Sequence, residues 1–154
     1  MAKQYWLMKS EEEAYSIREM EKDGVTCWEG VRNYEARNLM RDKMQVGDGV
    51  LFYHSNAKPP GVAGIARVAK RAYPDHYAFD KTNPYFDSKS DPENPRWFMV
   101  DVEFVEGFSG VVSLNEIKAT PELGEMALIN RARLSVQPVT KEEFQVIRTM
   151  GRKR

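Results

Sequence analysis

One stretch of the chain, residues 96–106, alternates between apolar and polar positions in the way that a β-strand requires. Phe98, Val100, Val102 and Phe104 would point to one face, and the residues between them, including Asp101, to the other. A period of two predicts a strand, since side chains alternate between the faces of a sheet. Such a strand needs neighbouring strands and a second layer that covers its apolar face.

Helices are predicted between the strands from their N-terminal signals. Ser16, Ser113 and Thr140 are each followed three residues later by Glu, which is the pattern of a capping box. Asn33 is a suitable N-cap for a fourth helix, because its side chain can accept a hydrogen bond from the first turn. We therefore expect short helices to begin at or just after these four residues.

Further strands are predicted over residues 5–8, 25–28, 50–53, 62–69 and 133–136, with Pro138 following the last. Residues 50–53 are apolar at every position, so this strand should be buried on both faces. Strands and helices in the order β-α-β-α-β-β-loop-β-α-β-α indicate the α+β class. We expect one domain over residues 1–154, built as a small mixed β-barrel flanked by short helices.

The charge balance limits the kind of partner. The chain has 154 residues, with 23 basic and 23 acidic side chains. This balance argues against binding to long DNA by phosphate neutralisation, because that mode of binding needs a basic surface. A neutral chain can still recognise a single base. No apolar run approaches the ~20 residues of a membrane span. The lone cysteine, Cys27, fits a reducing compartment, so we expect a cytoplasmic protein without a membrane partner.

Residues 27–56 carry the side chains expected of a pocket for a flat, polar ligand. Trp28 ends a short predicted strand, and Arg32 and Asn33 present paired hydrogen-bonding groups that can read base edges. A polar triplet, residues 54–56, follows the buried strand. One aromatic ring close to several donors and acceptors is what such a pocket needs.

Each of these residues also has a purely structural interpretation. Trp28 can be a core residue with a bonded indole N–H, Asn33 a helix cap, and Arg32 a member of a surface ion pair with a Glu. Residues 54–56 can simply complete hydrogen bonds at the strand end. Two histidines and one cysteine without ligand spacing do not predict a metal site, and we expect no cofactor.

Several motifs in fixed order resemble the EVE domain family over nearly the whole chain. They are YWLMKSE at 5–11, CWEGVRNYEARN at 27–38, FYHSN at 52–56, AYPDH at 72–76, WFMVDVEFV at 97–105 and LSVQP at 134–138. The resemblance implies a PUA-like fold that binds DNA or RNA with modified bases and holds the flipped base in a pocket. It implies Trp28 as a wall of that pocket, with its edges formed by Lys9, Ser10, Arg32, Asn33, His54, Ser55 and Asn56.

Three functions stay open at this point. The chain can be a monomeric reader of modified bases, or a hydrolase of modified nucleosides like some enzymes of the related ASCH domain. Hydrolysis would need a base and a nucleophile, for example Lys9 with Glu11 at the end of the first strand. A third interpretation is a small-molecule sensor or a structural domain whose pocket has lost its role.

Overall fold

The structure is a computed structural model that describes residues 3–154. Its strands are β1 (Tyr5–Glu11), β2 (Val25–Cys27), β3 (Gly49–Ser55), β4 (Gly61–Pro74), β5 (Phe98–Ser113) and β6 (Val136–Val139). The helices are α1 (Ile17–Asp23), α2 (Tyr34–Asp42), α3 (Leu114–Lys118), α4 (Ala127–Asn130) and α5 (Lys141–Arg152). Short 3₁₀ turns cover His76–Phe79 and Pro121–Leu123. No helix within residues 3–154 is long and apolar enough to cross a membrane.

All six strands belong to one mixed sheet with the order β2-β5-β4-β3-β1-β6. Strands β1 and β3 run parallel, and the other neighbours are antiparallel. Because parallel strands end at the same edge, Ser10 lies opposite His54 and Glu11 opposite Ser55. The polar residues at both strand ends are thereby brought together.

The α+β class is confirmed, but the sheet is open where we expected a barrel. β2 and β6 form its two edges and do not pair with each other within the described part of the chain. Both edge strands are short: β2 has three residues and β6 has four. β6 also contains Pro138, whose nitrogen cannot donate to a further strand.

The predicted helix starts are confirmed. Ser16, Ser113 and Thr140 are N-caps with both hydrogen bonds of the capping box, and Asn33 accepts from the backbone N–H of Ala36. The alternating strand is also confirmed, and it continues beyond residue 106 as β5. The predicted strand at 133–136 was wrong, since β6 begins only at Val136 and includes a proline that an edge strand tolerates.

Two apolar cores cover the two faces of the sheet. Along β3, Val50 and Phe52 pack with α1 and α2, whereas Leu51 and Tyr53 pack with α3, α4 and α5. These four side chains are all buried, which confirms the prediction of a strand covered on both faces. The first core also contains Trp28, so this residue of the candidate site is held in place by core packing.

Candidate nucleic-acid interface

A cavity of about 590 Å³ opens beside the ends of β1 and β3. Residues 9–11 and Ser55 supply its sheet side, and residues 26–32 form the facing wall. Ala14, Tyr15, Tyr85 and Ser135 complete the lining. The volume lies within the range of roughly 300–1,000 Å³ that is usual for small-ligand sites.

Trp28 both packs in the core and lines this cavity. Its side chain is 9% exposed and meets Phe52 edge to face, with ring centroids 5.4 Å apart. Among residues 3–154 the indole N–H of Trp28 has no hydrogen-bond partner. The corresponding groups of Trp6 and Trp97 instead donate to Asp48 Oδ2 at 2.9 Å and to Asp87 Oδ2 at 2.6 Å. Trp28 thus differs from the two tryptophans that have only structural contacts.

Arg32 lies at the cavity, but its guanidinium group is bound mainly to the protein. Nε and Nη2 donate to the carbonyl oxygen of Tyr85 at 3.1 and 2.7 Å, and Nη1 donates to Asp75 Oδ2 at 3.0 Å. Nη1 also donates to the carbonyl of Val31. Since only one N–H remains, Arg32 is better suited to holding the wall in place than to reading a base edge by its fork.

Asp75 organises the wall from beneath, and sequence reasoning did not identify it as a site residue. Its side chain is fully buried. Oδ2 accepts from the Gly30 N–H at 3.0 Å as well as from Arg32, and Oδ1 accepts from the Tyr77 N–H at 3.0 Å. One carboxylate therefore joins the turn after Trp28 to the loop that follows β4. The AYPDH motif at 72–76 was the only signal in the sequence that contained it.

Tyr85 closes the cavity from the long loop between β4 and β5. Its ring lies against Gly30, where an added Cβ would approach Tyr85 Cζ to 2.6 Å. Gly30 also has a φ of +83°, a conformation that favours glycine. The Tyr85 side chain remains 42% exposed and is not part of the core, so its ring is accessible to a ligand.

The end of β1 contributes Lys9 and Ser10. Lys9 Nζ donates to the carbonyl of Ala132 and lies over the ring of Tyr53, and burial lowers the pKa of its ammonium group. Ser10 Oγ donates to the carbonyl of Tyr15 at 2.7 Å. Together with Ser55 these residues give the cavity a polar rim.

His54 is a neighbour of the cavity residues in sequence but does not line the cavity. Its ring is buried, and Nε2 accepts from the backbone N–H of Ile17 at 3.1 Å, at the start of α1. Nδ1 lies 3.6 Å from Glu12 Oε2. Burial lowers the pKa of the imidazole more than the Glu12 charge raises it. The contact ties the N-terminus of α1 to β3.

Asn33 and Asn56 also lie outside the cavity lining. Asn33 caps α2 and borders a separate pocket of about 310 Å³ beside Arg131. Asn56 occupies the left-handed region with a φ of 53°, and its amide donates to Glu11 Oε1 at 2.9 Å. Both have local structural roles. Of the eight candidate residues, the cavity brings together Lys9, Ser10, Trp28, Arg32 and Ser55.

The chemistry available at the cavity favours binding groups over an activated nucleophile. Burial first, and then the charge of Glu29, raises the pKa of the Cys27 thiol to about 11, so the thiolate is scarce at neutral pH. Lys9 and Glu11, the residues considered for hydrolysis, donate to Ala132 and accept from Asn56 respectively. Within residues 3–154 no group of three or more candidate ligands is arranged to hold a metal ion.

A family model for the EVE domain matches residues 4–150. The chain belongs to the EVE domain family. It is 42% identical over 168 residues to thymocyte nuclear protein 1 from Homo sapiens, covering 97% of this chain and 74% of that protein. This match establishes homology along almost the entire chain.

Solved structures of similar proteins agree with the fold. A hypothetical protein from Leishmania major has a TM-score of 0.95 and 51% identity, over 99% of this chain and 96% of that one. The human THYN1 protein, crystallised in complex with DNA containing 5-methylcytosine, has a TM-score of 0.90 and 42% identity, over 98% and 99% of the chains. These matches confirm the PUA-like α+β fold.

Proposed function

We propose that this EVE domain binds nucleic acid that carries a modified base and accommodates the flipped base in the cavity beside Trp28. The observation that carries the proposal is the position of Trp28. Its ring is fixed by the core, while its indole N–H lacks a partner among the described residues and the side chain borders the cavity. A flipped base would gain an aromatic contact there without requiring the wall to rearrange.

Two further observations support the proposal. The cavity has room for a base, and Tyr85 provides a second, more exposed ring on the same wall. The homologous human THYN1 protein has been crystallised with DNA containing 5-methylcytosine. Flipping costs a few kcal/mol of unstacking, and a preformed cavity can offset that cost through stacking and hydrogen bonds.

The proposal is tested by titrating labelled oligonucleotides, each with one modified base, against the unmodified control, in both DNA and RNA. At least one modified base should bind more tightly than its control. Tyr85→Ala should weaken that binding by roughly 1–3 kcal/mol, the usual contribution of a base–aromatic contact. Trp28→Phe should also weaken it, because the smaller ring loses the indole N–H and part of the contact area. Equal binding of modified and unmodified strands at every base tested would contradict the proposal.

Two features of the design separate binding from folding. Trp28→Phe keeps an aromatic ring in the core, whereas Trp28→Ala would cost roughly 3–5 kcal/mol of stability. Tyr5→Ala removes a partly buried ring that packs on Phe144 in the other core, and it should leave binding unchanged. Thermal melting of each variant shows which losses come from unfolding.

The same samples also test hydrolysis. Chromatography of the nucleosides after long incubation should recover the modified base intact, and release of a changed base would favour the enzyme. A monomeric state, a cytoplasmic location and RNA as an alternative target remain predictions. Size-exclusion chromatography with light scattering tests the monomeric state, and the DNA and RNA arms of the titration test RNA as a target.

A further inference from the structure

Two carboxylates line the cavity. The aromatic contacts proposed between a base and Trp28 or Tyr85 give these carboxylates no role. Glu11 lies at the end of β1 and Glu29 on the facing wall, next to Trp28. Glu29 is exposed, and its one hydrogen-bond partner among residues 3–154 is the Cys27 thiol, 3.5 Å from Oε2. Glu29 Oε1 thus has no donor from the described part of the chain.

The two backbone N–H groups that flank Glu29 in the chain are already engaged within the protein. The backbone N–H of Trp28 donates to the carbonyl of Val100 at 2.8 Å, and the Gly30 N–H donates to Asp75. The guanidinium of Arg32 is held by Tyr85, Asp75 and Val31. An ionised carboxylate only accepts hydrogen bonds, so this part of the wall offers an acceptor to any ligand that enters.

The negative charge of Glu29 is felt at the cavity surface. The charge of Glu29 is the second-largest cause of the raised pKa of the neighbouring Cys27 thiol, and only burial has a larger effect. A ligand atom with a bound hydrogen is stabilised at such a position. A carbonyl oxygen placed there would leave two acceptors facing each other with no proton between them, and both would have lost water.

We infer that the cavity selects bases with an exocyclic amino group, as in cytosine and adenine, and that Glu29 is the specificity-determining residue. The inference rests on the proposed function, and it names the chemical class of base that the site takes. Acidic side chains accept from the N4 amino group of cytosine in protein–DNA complexes. Bases that carry an oxo group at this position, such as thymine, should be rejected.

A matched pair of bases tests the inference. 5-Methylcytosine and thymine share the ring and the 5-methyl group, and they differ in the amino or oxo group at C4 and the proton at N3. Each is placed opposite an abasic site in the same duplex, so that no base pair has to be broken. We expect 5-methylcytosine to bind more tightly by about 5- to 150-fold.

Glu29→Gln should bring this ratio close to one, since an amide can donate as well as accept and so suits both bases. Glu13→Gln is the matched control: Glu13 is also exposed but does not line the cavity, and its replacement should leave the ratio unchanged. A preference for 5-methylcytosine that survives Glu29→Gln would overturn the role of Glu29.

Failure of the inference and failure of the proposed function give different results. If both methylated bases bind equally well and better than cytosine and uracil, the amino-group selection is wrong while the cavity still reads a modified base. If none of the four bases binds above a fully paired duplex, the proposed function fails and the inference fails with it.

Discussion

Replacing Asp75 by Asn tests whether the cavity wall depends on one buried carboxylate. Asp75 is fully buried and accepts three hydrogen bonds, from Gly30, Arg32 and Tyr77. Asn keeps the shape but loses the charge. Whichever way its amide is turned, an NH₂ group faces a donor that the carboxylate had satisfied. Both effects destabilise the folded state.

The magnitude follows from the geometry. Breaking a buried ion pair costs roughly 3–5 kcal/mol. The Arg32 side chain is 22% exposed, which permits partial hydration, so we expect the lower end. A loss of about 3 kcal/mol corresponds to a decrease in Tm of about 6–12 °C for a protein of this length.

Differential scanning calorimetry of Asp75→Asn measures this loss directly. Asp91→Asn is the matched control, because Asp91 is exposed and, among residues 3–154, its Oδ1 accepts only from the Glu93 N–H at 3.0 Å. Its Tm should change by less than about 2 °C. At a temperature where Asp75→Asn is still folded, it should also bind modified DNA more weakly. A Tm within 2 °C of the parent protein would refute the role assigned to Asp75.

Three further perturbations test other parts of the site. Gly30→Ala should destabilise the protein and weaken binding, because the added Cβ collides with the Tyr85 ring. Gly47→Ala is the control: Gly47 has a φ of +94° and open space around it, so this variant should lose only the stability that backbone strain costs. Burial lowers the pKa of His54 below its unfolded value, so the native state binds fewer protons and the free energy of unfolding should fall as the pH drops from about 7 to 5. Urea unfolding at each pH should show a weaker dependence on pH in His54→Gln. An unchanged pH dependence in this variant would contradict the role of His54. The surface arginines are largely paired, as in Arg41–Asp42 and Arg131–Glu35, so few of them are available to phosphates. The slope of log Kd against log salt concentration should therefore have a magnitude of only about 2–4. A slope with a magnitude above about 6 would indicate binding through phosphate contacts alone.

Local signals in the sequence predicted the framework well. The capping boxes at Ser16, Ser113 and Thr140 depend on residues three apart, and the alternation in β5 depends on residues two apart. Such patterns specify helices and strands without knowledge of the tertiary structure. Pro138 misled the prediction of β6, because only the position of that strand at the sheet edge makes a proline acceptable.

The cavity was predictable only in part, because its contacts join distant segments. Asp75 meets Arg32 across 43 residues, and Tyr85 is held by Arg32 across 53. No local pattern encodes either contact. His54 was grouped with Ser55 because both follow a buried strand, but successive side chains in a strand point to opposite faces. Ser55 lines the cavity, whereas His54 contacts the start of α1.

The most direct test of the account observes the tryptophan indole groups by NMR during binding. The chain has three tryptophans, and the N–H groups of Trp6 and Trp97 are bonded to buried or half-buried carboxylates. Titration of ¹⁵N-labelled protein with a duplex containing one modified base should move the Trp28 indole signal saturably, with the same Kd as the binding isotherm. The Trp6 signal should not move. Saturable binding that leaves the Trp28 indole signal unchanged would contradict the claim that the base enters this cavity.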